Sequence, residues 1–195
     1  MSRPQVVSID DHASANLRYI RETMERAGYF TAVPGWGGIL MGISALMASA
    51  VAATTRSRES WVVIWVAEAA VAFVLGSWAM VRKAKTARVF LKGPGRIFTL
   101  SLCPAMLAAL VLTMVAYKYG IFAVLPGLWL LLYGVAIVAA GTYSVRVVPV
   151  MGICFMVLGT VALAFGAEWP NLSMGLGFGA LHVVFGGVIA RRYGG

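Results

Sequence analysis

Two ionisable side chains, Glu68 and His182, lie deep within long apolar stretches of the sequence. All the other charged residues fall at or near the ends of such stretches. An ionisable group inside a lipid bilayer is costly unless it is neutral, paired or facing water, and such groups commonly line ion pathways and proton relays. Glu68 and His182 are therefore the first candidates for chemistry in this chain.

The two candidates are expected at similar depth. Glu68 follows Trp61 by seven residues and His182 follows Leu172 by ten, where Trp61 and Leu172 begin two apolar stretches. At the helical rise these offsets correspond to roughly 10 and 15 Å from the same end of a bundle. A contact between the two side chains is thus geometrically allowed, provided that their helices are neighbours.

Aromatic side chains share a helical face with Glu68. Trp61, Trp65 and Glu68 recur at helical spacing. Indole rings attract cations through their quadrupoles, and a carboxylate adds charge, so this set suits an organic cation. The same carboxylate could serve a proton relay. The structural alternative is a protonated or hydrogen-bonded Glu68 beside tryptophans that anchor the helix at the membrane surface.

Small residues surround His182. Gly175, Gly179 and Gly186 line its face, and such spacing allows close helix packing, with His182 as a satisfied polar residue. Gly38 and Gly42 give a similar packing signal earlier in the chain.

The residues that enzymes and metal sites need are missing from the pattern. The sequence shows no paired catalytic carboxylates, no nucleophile beside a base and no Cys/His cluster, since His12 lies far from His182 in the chain. Residues 175–179 lie in an apolar stretch without a preceding strand, which excludes a nucleotide loop. Cys103 and Cys154 also lie in apolar stretches and are predicted to pack as free thiols. We therefore expect no enzymatic activity, no bound metal and no other cofactor.

The composition predicts what positions these residues. The chain has 195 residues, of which 61% are hydrophobic and 12% charged, whereas soluble domains carry roughly 25% charged residues. Its apolar runs are continuous rather than alternating, which favours membrane-spanning helices over a barrel. The prediction is an all-α polytopic membrane helix bundle of about six transmembrane helices. The predicted spans are Trp36–Ala53, Trp61–Val81, Phe98–Tyr117, Phe122–Tyr143, Val147–Gly166 and Leu172–Ala190.

Basic residues predict the orientation. Thirteen of the sixteen Lys and Arg residues fall on one side of a six-span arrangement, which makes that side, with both termini, cytoplasmic. The densest cluster follows the second span and comprises Arg82, Lys83, Lys85, Arg88, Lys92 and Arg96. It is predicted to meet anionic lipid headgroups or a cytosolic partner. The membrane explains the net charge of +9 better than nucleic acid does.

The chain divides into residues 1–34 and a transmembrane domain, residues 35–195. In the first part Leu17, Ile20 and Met24 recur at helical spacing opposite a charged face, which predicts an amphipathic helix. It would lie in the cytoplasmic interface or dock a cytosolic partner or sister subunit.

An internal duplication is a further hypothesis. Two stretches each begin with Pro-Gly and carry a glycine eight residues after the proline, namely Pro34, Gly35 and Gly42, and Pro126, Gly127 and Gly134. Three spans in each of residues 35–120 and 121–195 would make an inverted 3+3 repeat, an arrangement found in transporters.

The overall plan and the tail Phe185–Gly195 resemble uncharacterised small bacterial six-span membrane proteins. The short loops and the duplicated spans are loosely similar to the HdeD acid-resistance membrane protein family. This resemblance implies no particular functional residues.

Two functions fit these observations. The first is a small bacterial inner-membrane transporter or channel-like protein for a small cation or a proton-coupled solute, in which Glu68 switches charge. His182 would be its partner, and Trp65 an aromatic wall. The second is a non-transporting sensor or scaffold that binds a cytosolic partner through its N-terminal helix and basic loop.

Overall fold

The computed structural model describes residues 16–17, 33–83, 94–165 and 168–193, and it confirms the predicted all-α fold. Six helices in the described ranges are long and apolar enough to cross a membrane. We number them in chain order as α1 (Gly35–Ala53), α2 (Arg58–Lys83), α3 (Pro94–Tyr119), α4 (Leu125–Gly141), α5 (Val147–Phe165) and α6 (Pro170–Tyr193).

The helix boundaries differ modestly from the predicted spans. A short 3₁₀ turn, Phe122–Val124, precedes α4. Residues Gly175–Leu181 of α6 form a π-helical segment between two α-helical parts. The hydropathy pattern carries no information on this segment, because α- and π-helical turns bury similar side chains.

Glycines bring α1 and α6 into close contact. A Cβ atom on Gly42 would lie 2.7 Å from the Gly179 carbonyl oxygen, and one on Gly186 would lie 2.8 Å from the Gly35 carbonyl oxygen. A Cβ on Gly38 would lie 3.3 Å from the Cα of Gly186. The glycine faces that the sequence indicated on the first and last spans therefore pack against each other, as small residues do in membrane helix pairs.

Glycines also bring α4 and α5 into close contact. These two helices are antiparallel and are joined by the short connection at residues 142–146. A Cβ on Gly134 would lie 2.7 Å from the Gly152 carbonyl oxygen, and one on Gly152 would lie 2.8 Å from the Gly134 carbonyl oxygen. Likewise, a Cβ on Gly159 would lie 2.9 Å from the Gly127 carbonyl oxygen. The two backbones thus approach each other without intervening side chains.

These contacts bear on the hypothesis of a duplication. The matched glycines Gly42 and Gly134 pack on α6 and α5, respectively. In a 3+3 repeat the counterpart of α6 is α3, so the contacts of the matched glycines do not repeat. The duplication stays a prediction from the sequence pattern.

The remaining helices, α2 and α3, lie at the periphery. α2 packs on α1 and α3 packs on α4. Most of their large apolar side chains point outward, such as Phe73 at 75% exposure and Leu107 at 61%. In a membrane protein such a surface faces lipid.

Polar contacts define the two ends of the bundle. At one end the Lys83 ammonium group donates hydrogen bonds to the carbonyl oxygens of Val33 at 3.0 Å and Tyr193 at 3.2 Å. This end therefore joins the start of α1 to the ends of α2 and α6. At the other end the Ser49 hydroxyl donates to the Asn171 carbonyl oxygen at 2.9 Å, which ties the end of α1 to the start of α6.

Candidate functional site

Glu68 lies on the face of α2 that packs against α1. The Ser44 hydroxyl lies 2.7 Å from Glu68 Oε1 and also 2.9 Å from the Met41 carbonyl oxygen. A hydroxyl group carries one proton, so Ser44 can donate to only one of these oxygens at a time. When it donates to Glu68, the carboxylate is ionised and satisfied. When it turns to Met41, a protonated Glu68 can donate to the Ser44 oxygen instead.

The Ser44 hydroxyl therefore supports both protonation states of Glu68 without any movement of the backbone. Glu68 is half-buried, near the middle of the long helix α2. Within the described ranges its hydrogen-bond partner is Ser44, and no basic side chain there forms an ion pair with it. The residues around Glu68 thus leave its charge free to change.

His182 is held differently. Its side chain is buried at 4% exposure, with Nδ1 lying 3.0 Å from the Phe178 carbonyl oxygen and Nε2 lying 2.8 Å from the Tyr133 hydroxyl. A carbonyl oxygen only accepts, so Nδ1 donates to it, and in the neutral imidazole Nε2 then accepts from Tyr133. Both ring nitrogens are used, and the contact with Glu68 that their similar depths allowed is not formed.

The π-helical segment of α6 ends immediately before His182. The backbone N–H of His182 bonds to the Gly179 carbonyl oxygen, and its imidazole bonds to the Phe178 carbonyl oxygen. π-Helical segments inside α-helices are frequent at functional sites. Here the segment ends where His182 meets Tyr133.

Six aromatic side chains pack with His182 between α2, α4, α5 and α6. We call this set the aromatic cluster; it comprises Trp61, Trp65, Trp129, Tyr133, Phe155 and Phe178. Phe155, which is fully buried, lies at its centre, with ring centroids 4.8 Å from Tyr133, 5.5 Å from Phe178 and 5.3 Å from His182. The cluster thus surrounds the Tyr133–His182 pair with apolar rings.

One end of the cluster is closed by two stacked tryptophans. Trp61 and Trp129 lie parallel, with centroids 5.6 Å apart and an interplanar angle of 4°. The Trp61 indole donates to Asn171 Oδ1 at 2.7 Å, and the Trp129 indole donates to the Thr113 hydroxyl at 2.7 Å. This tryptophan bridge connects α6, α2, α4 and α3 in a line.

The position of the tryptophans corrects one interpretation of the sequence. Trp61 and Trp65 are buried, at 9% and 3% exposure, so they are not anchors at the membrane surface. The indole Nε1 of Trp65 is fully buried and has no hydrogen-bond partner within the described residues. The two indoles of the tryptophan bridge, by contrast, both donate to a side chain.

The basic cluster is only partly described. Arg82 and Arg96 are exposed, and the Arg82 guanidinium lies 4.9 Å from the Trp78 ring centroid. Lys83 bonds to backbone carbonyl groups of the bundle, as described above. Lys85, Arg88 and Lys92 lie outside the described residues. Most of the predicted amphipathic helix also lies outside them; of that helix the structure describes Asn16 and Leu17, which are helical.

Several site residues were not identified from the sequence. Ser44, Trp129, Tyr133, Phe155 and Phe178 all lie in apolar spans, where nothing in a single sequence indicates which helix they face. A hydroxyl group in mid-span was the available signal for Ser44 and Tyr133, because such groups need a partner in lipid.

Comparison with known protein families, characterised proteins and solved structures finds no match for this chain. Within the described residues no group of three or more His, Cys, Asp or Glu side chains could hold a metal ion.

The Tyr133–His182 hydrogen bond gives a first prediction. Tyr133→Phe leaves the buried Nε2 of His182 without a donor, and we expect it to lower the free energy of unfolding by about 1–3 kcal/mol. Tyr143→Phe is the matched control, because Tyr143 is 42% exposed. Thermal unfolding in detergent measures both. Equal melting temperatures for the two variants would show that the pair contributes nothing to stability.

Proposed function

We propose that the protein is a small bacterial inner-membrane transporter or channel-like protein for a small cation or a proton-coupled solute. The observation that carries this proposal is the Ser44 hydroxyl, which lies within hydrogen-bond distance of both Glu68 and the Met41 carbonyl oxygen. A carboxyl group in mid-membrane that is satisfied with and without its proton can load and release protons or cations during a cycle.

The rest of the bundle supplies what such a cycle needs. The tryptophan bridge closes one end above the aromatic cluster, and the Lys83 contacts hold the opposite end together. The glycine contacts between α1 and α6 are smooth surfaces over which helices can shift by small amounts. Glu68 lies on α2 near this pair, so a shift of α1 would change its contact with Ser44.

The orientation completes the proposal. The end that carries Lys83, Arg82 and Arg96 faces the cytoplasm, where the exposed arginines meet anionic lipid headgroups. The start of α1 and the end of α6 lie on this side. The tryptophan bridge then faces the periplasm, and Glu68 exchanges its proton from that side when the bridge opens. The protein acts by moving a solute and not as an enzyme.

Transport through Glu68 is tested in proteoliposomes that contain a pH-sensitive dye. An imposed cation or pH gradient is expected to drive proton flux in the native protein, and Glu68→Gln should reduce it to the level of protein-free vesicles. Gln keeps the size and the hydrogen bond of the side chain but cannot carry the charge.

Glu59→Gln is the matched control, because Glu59 lies on the same helix, is exposed and also accepts a hydrogen bond from a serine, Ser57, at 2.6 Å. It should conduct like the native protein. Glu68→Asp, which retains the charge, should keep part of the flux. Native flux in the Glu68→Gln vesicles, with equal protein incorporation, would overturn the proposal.

A further inference from the structure

We infer that the solute is a small organic ammonium ion that also carries a hydrogen-bond-accepting oxygen, and that Trp65 and Glu68 recognise it. The inference rests on the proposed function and names the substrate class of the same site. Two observations support it: the unpaired indole N–H of Trp65 and the carboxylate one helical turn away.

The Trp65 N–H is the exception within its own cluster. Trp61 and Trp129 each donate to a side chain at 2.7 Å, whereas Trp65 Nε1 is buried away from water with no partner in the described ranges. A buried donor without an acceptor destabilises the protein, so native structures rarely keep one. A phenylalanine, although smaller, would not carry that unsatisfied donor. The N–H is therefore suited to an acceptor that the solute brings.

The cationic part of the solute is specified by the surroundings of the indole. Trp65 and Glu68 are three residues apart on α2, so their Cβ atoms lie about 5–6 Å apart. The ring centroid of Trp65 lies 6.1 Å from that of Trp61 and 6.5 Å from that of Phe178. Ring faces beside a carboxylate attract an ammonium group and accommodate its alkyl substituents.

A bare metal cation fits this site less well. Calcium and magnesium ions require about six or more oxygen ligands. Within the described residues Glu68 supplies one carboxylate and its partner Ser44 supplies one hydroxyl, and Trp65, one helical turn away, has aromatic rings beside it. An alkylated ammonium group replaces the missing oxygen ligands with ring contacts.

The structure shows this site in a closed state. Trp65 is 3% exposed, so a solute enters only when Trp65 and Phe178 separate. α2 is packed mainly on α1, and the Trp61 side of the tryptophan bridge moves with it. Opening the bridge would therefore expose the Trp65 N–H to a solute that also reaches the half-buried Glu68 carboxylate.

The test compares two cations by isothermal titration of the full chain in nanodiscs. Choline has a quaternary ammonium group and a hydroxyl oxygen, whereas tetramethylammonium has the charge without the oxygen. We expect the native protein to bind choline about fivefold more tightly than tetramethylammonium, the equivalent of one hydrogen bond. Trp65→Phe should bind both equally, and Glu68→Gln should weaken both.

Trp36→Phe is the control variant, because Trp36 is 63% exposed at the opposite end of the bundle; it should bind as the native protein does. No heat of binding for choline, or an unchanged preference in Trp65→Phe, would overturn the inference.

The outcomes separate this inference from the proposed function. Glu68-dependent proton flux without choline binding would reject the substrate class and keep the transporter. Choline binding that depends on Trp65, with no Glu68-dependent flux, would reject transport and keep the binding site.

Discussion

Replacing Gly134 with alanine is expected to separate α4 from α5 and to cause one of the largest losses of stability in this chain. The added Cβ would lie 2.7 Å from the Gly152 carbonyl oxygen, 2.7 Å from the Met156 backbone nitrogen and 2.6 Å from Met156 Cγ. Two of these atoms belong to the backbone of α5 and cannot rotate away. Overpacking of this kind costs about 1–3 kcal/mol and more where the backbone must move.

Gly187→Ala is the matched control, because a Cβ there would meet nothing within 4 Å and the residue is also helical. Alanine favours the helix over glycine by up to about 1 kcal/mol, so this variant should unfold at the native temperature or slightly above it. Thermal unfolding in detergent, with helicity measured by circular dichroism, compares the two. A Gly134→Ala protein as stable as Gly187→Ala would mean that α4 and α5 do not pack as closely as described.

The sequence predicted the helices well because their signal is local. A continuous apolar run of about 20 residues must satisfy its own backbone in lipid, so the spans follow from hydropathy alone. The glycines of α1 and α6 were also recognisable, since small residues at four-residue spacing mark a packing face. Their mutual contact became visible only in the structure.

The site was less predictable because its contacts join distant helices. Tyr133 and His182 are 49 positions apart, and Ser44 and Glu68 are 24 apart. Depth in the membrane suggested that Glu68 and His182 could meet, but depth does not say which helices are neighbours. The glycine contacts hold α6 against α1 and α5 against α4, and in that arrangement His182 meets Tyr133 on α4.

The two buried ionisable residues therefore have opposite surroundings. His182 has a fixed partner on each ring nitrogen and lies among apolar rings, which holds it in one state. Among the described residues Glu68 has one hydroxyl partner, Ser44, which can turn between two acceptors and so supports two states. We therefore propose a structural role for His182 and the switching role for Glu68, whereas the sequence had suggested His182 as the partner of Glu68.

Phe155→Ala is expected to destabilise the protein strongly by emptying the centre of the aromatic cluster. The side chain is fully buried and lies within 5.5 Å, between centroids, of Tyr133, Phe178 and His182. Truncation of a buried phenylalanine costs about 3–5 kcal/mol, because the cavity cannot fully collapse. It would also let Tyr133 and His182 move apart, which adds the loss of their hydrogen bond.

Phe165→Ala is the control, because Phe165 lies on the same helix at 80% exposure and should change the free energy of unfolding little. The destabilisation by Phe155→Ala should be smaller in a Tyr133→Phe background, since the two changes disrupt the same hydrogen bond and are not additive. Unfolding by denaturant in mixed micelles compares the native protein with the three single variants and the double variant. Strict additivity would show that Phe155 fills space without positioning the Tyr133–His182 pair. Non-additive effects of the two substitutions would show that the Phe155 ring supports His182 in its single state.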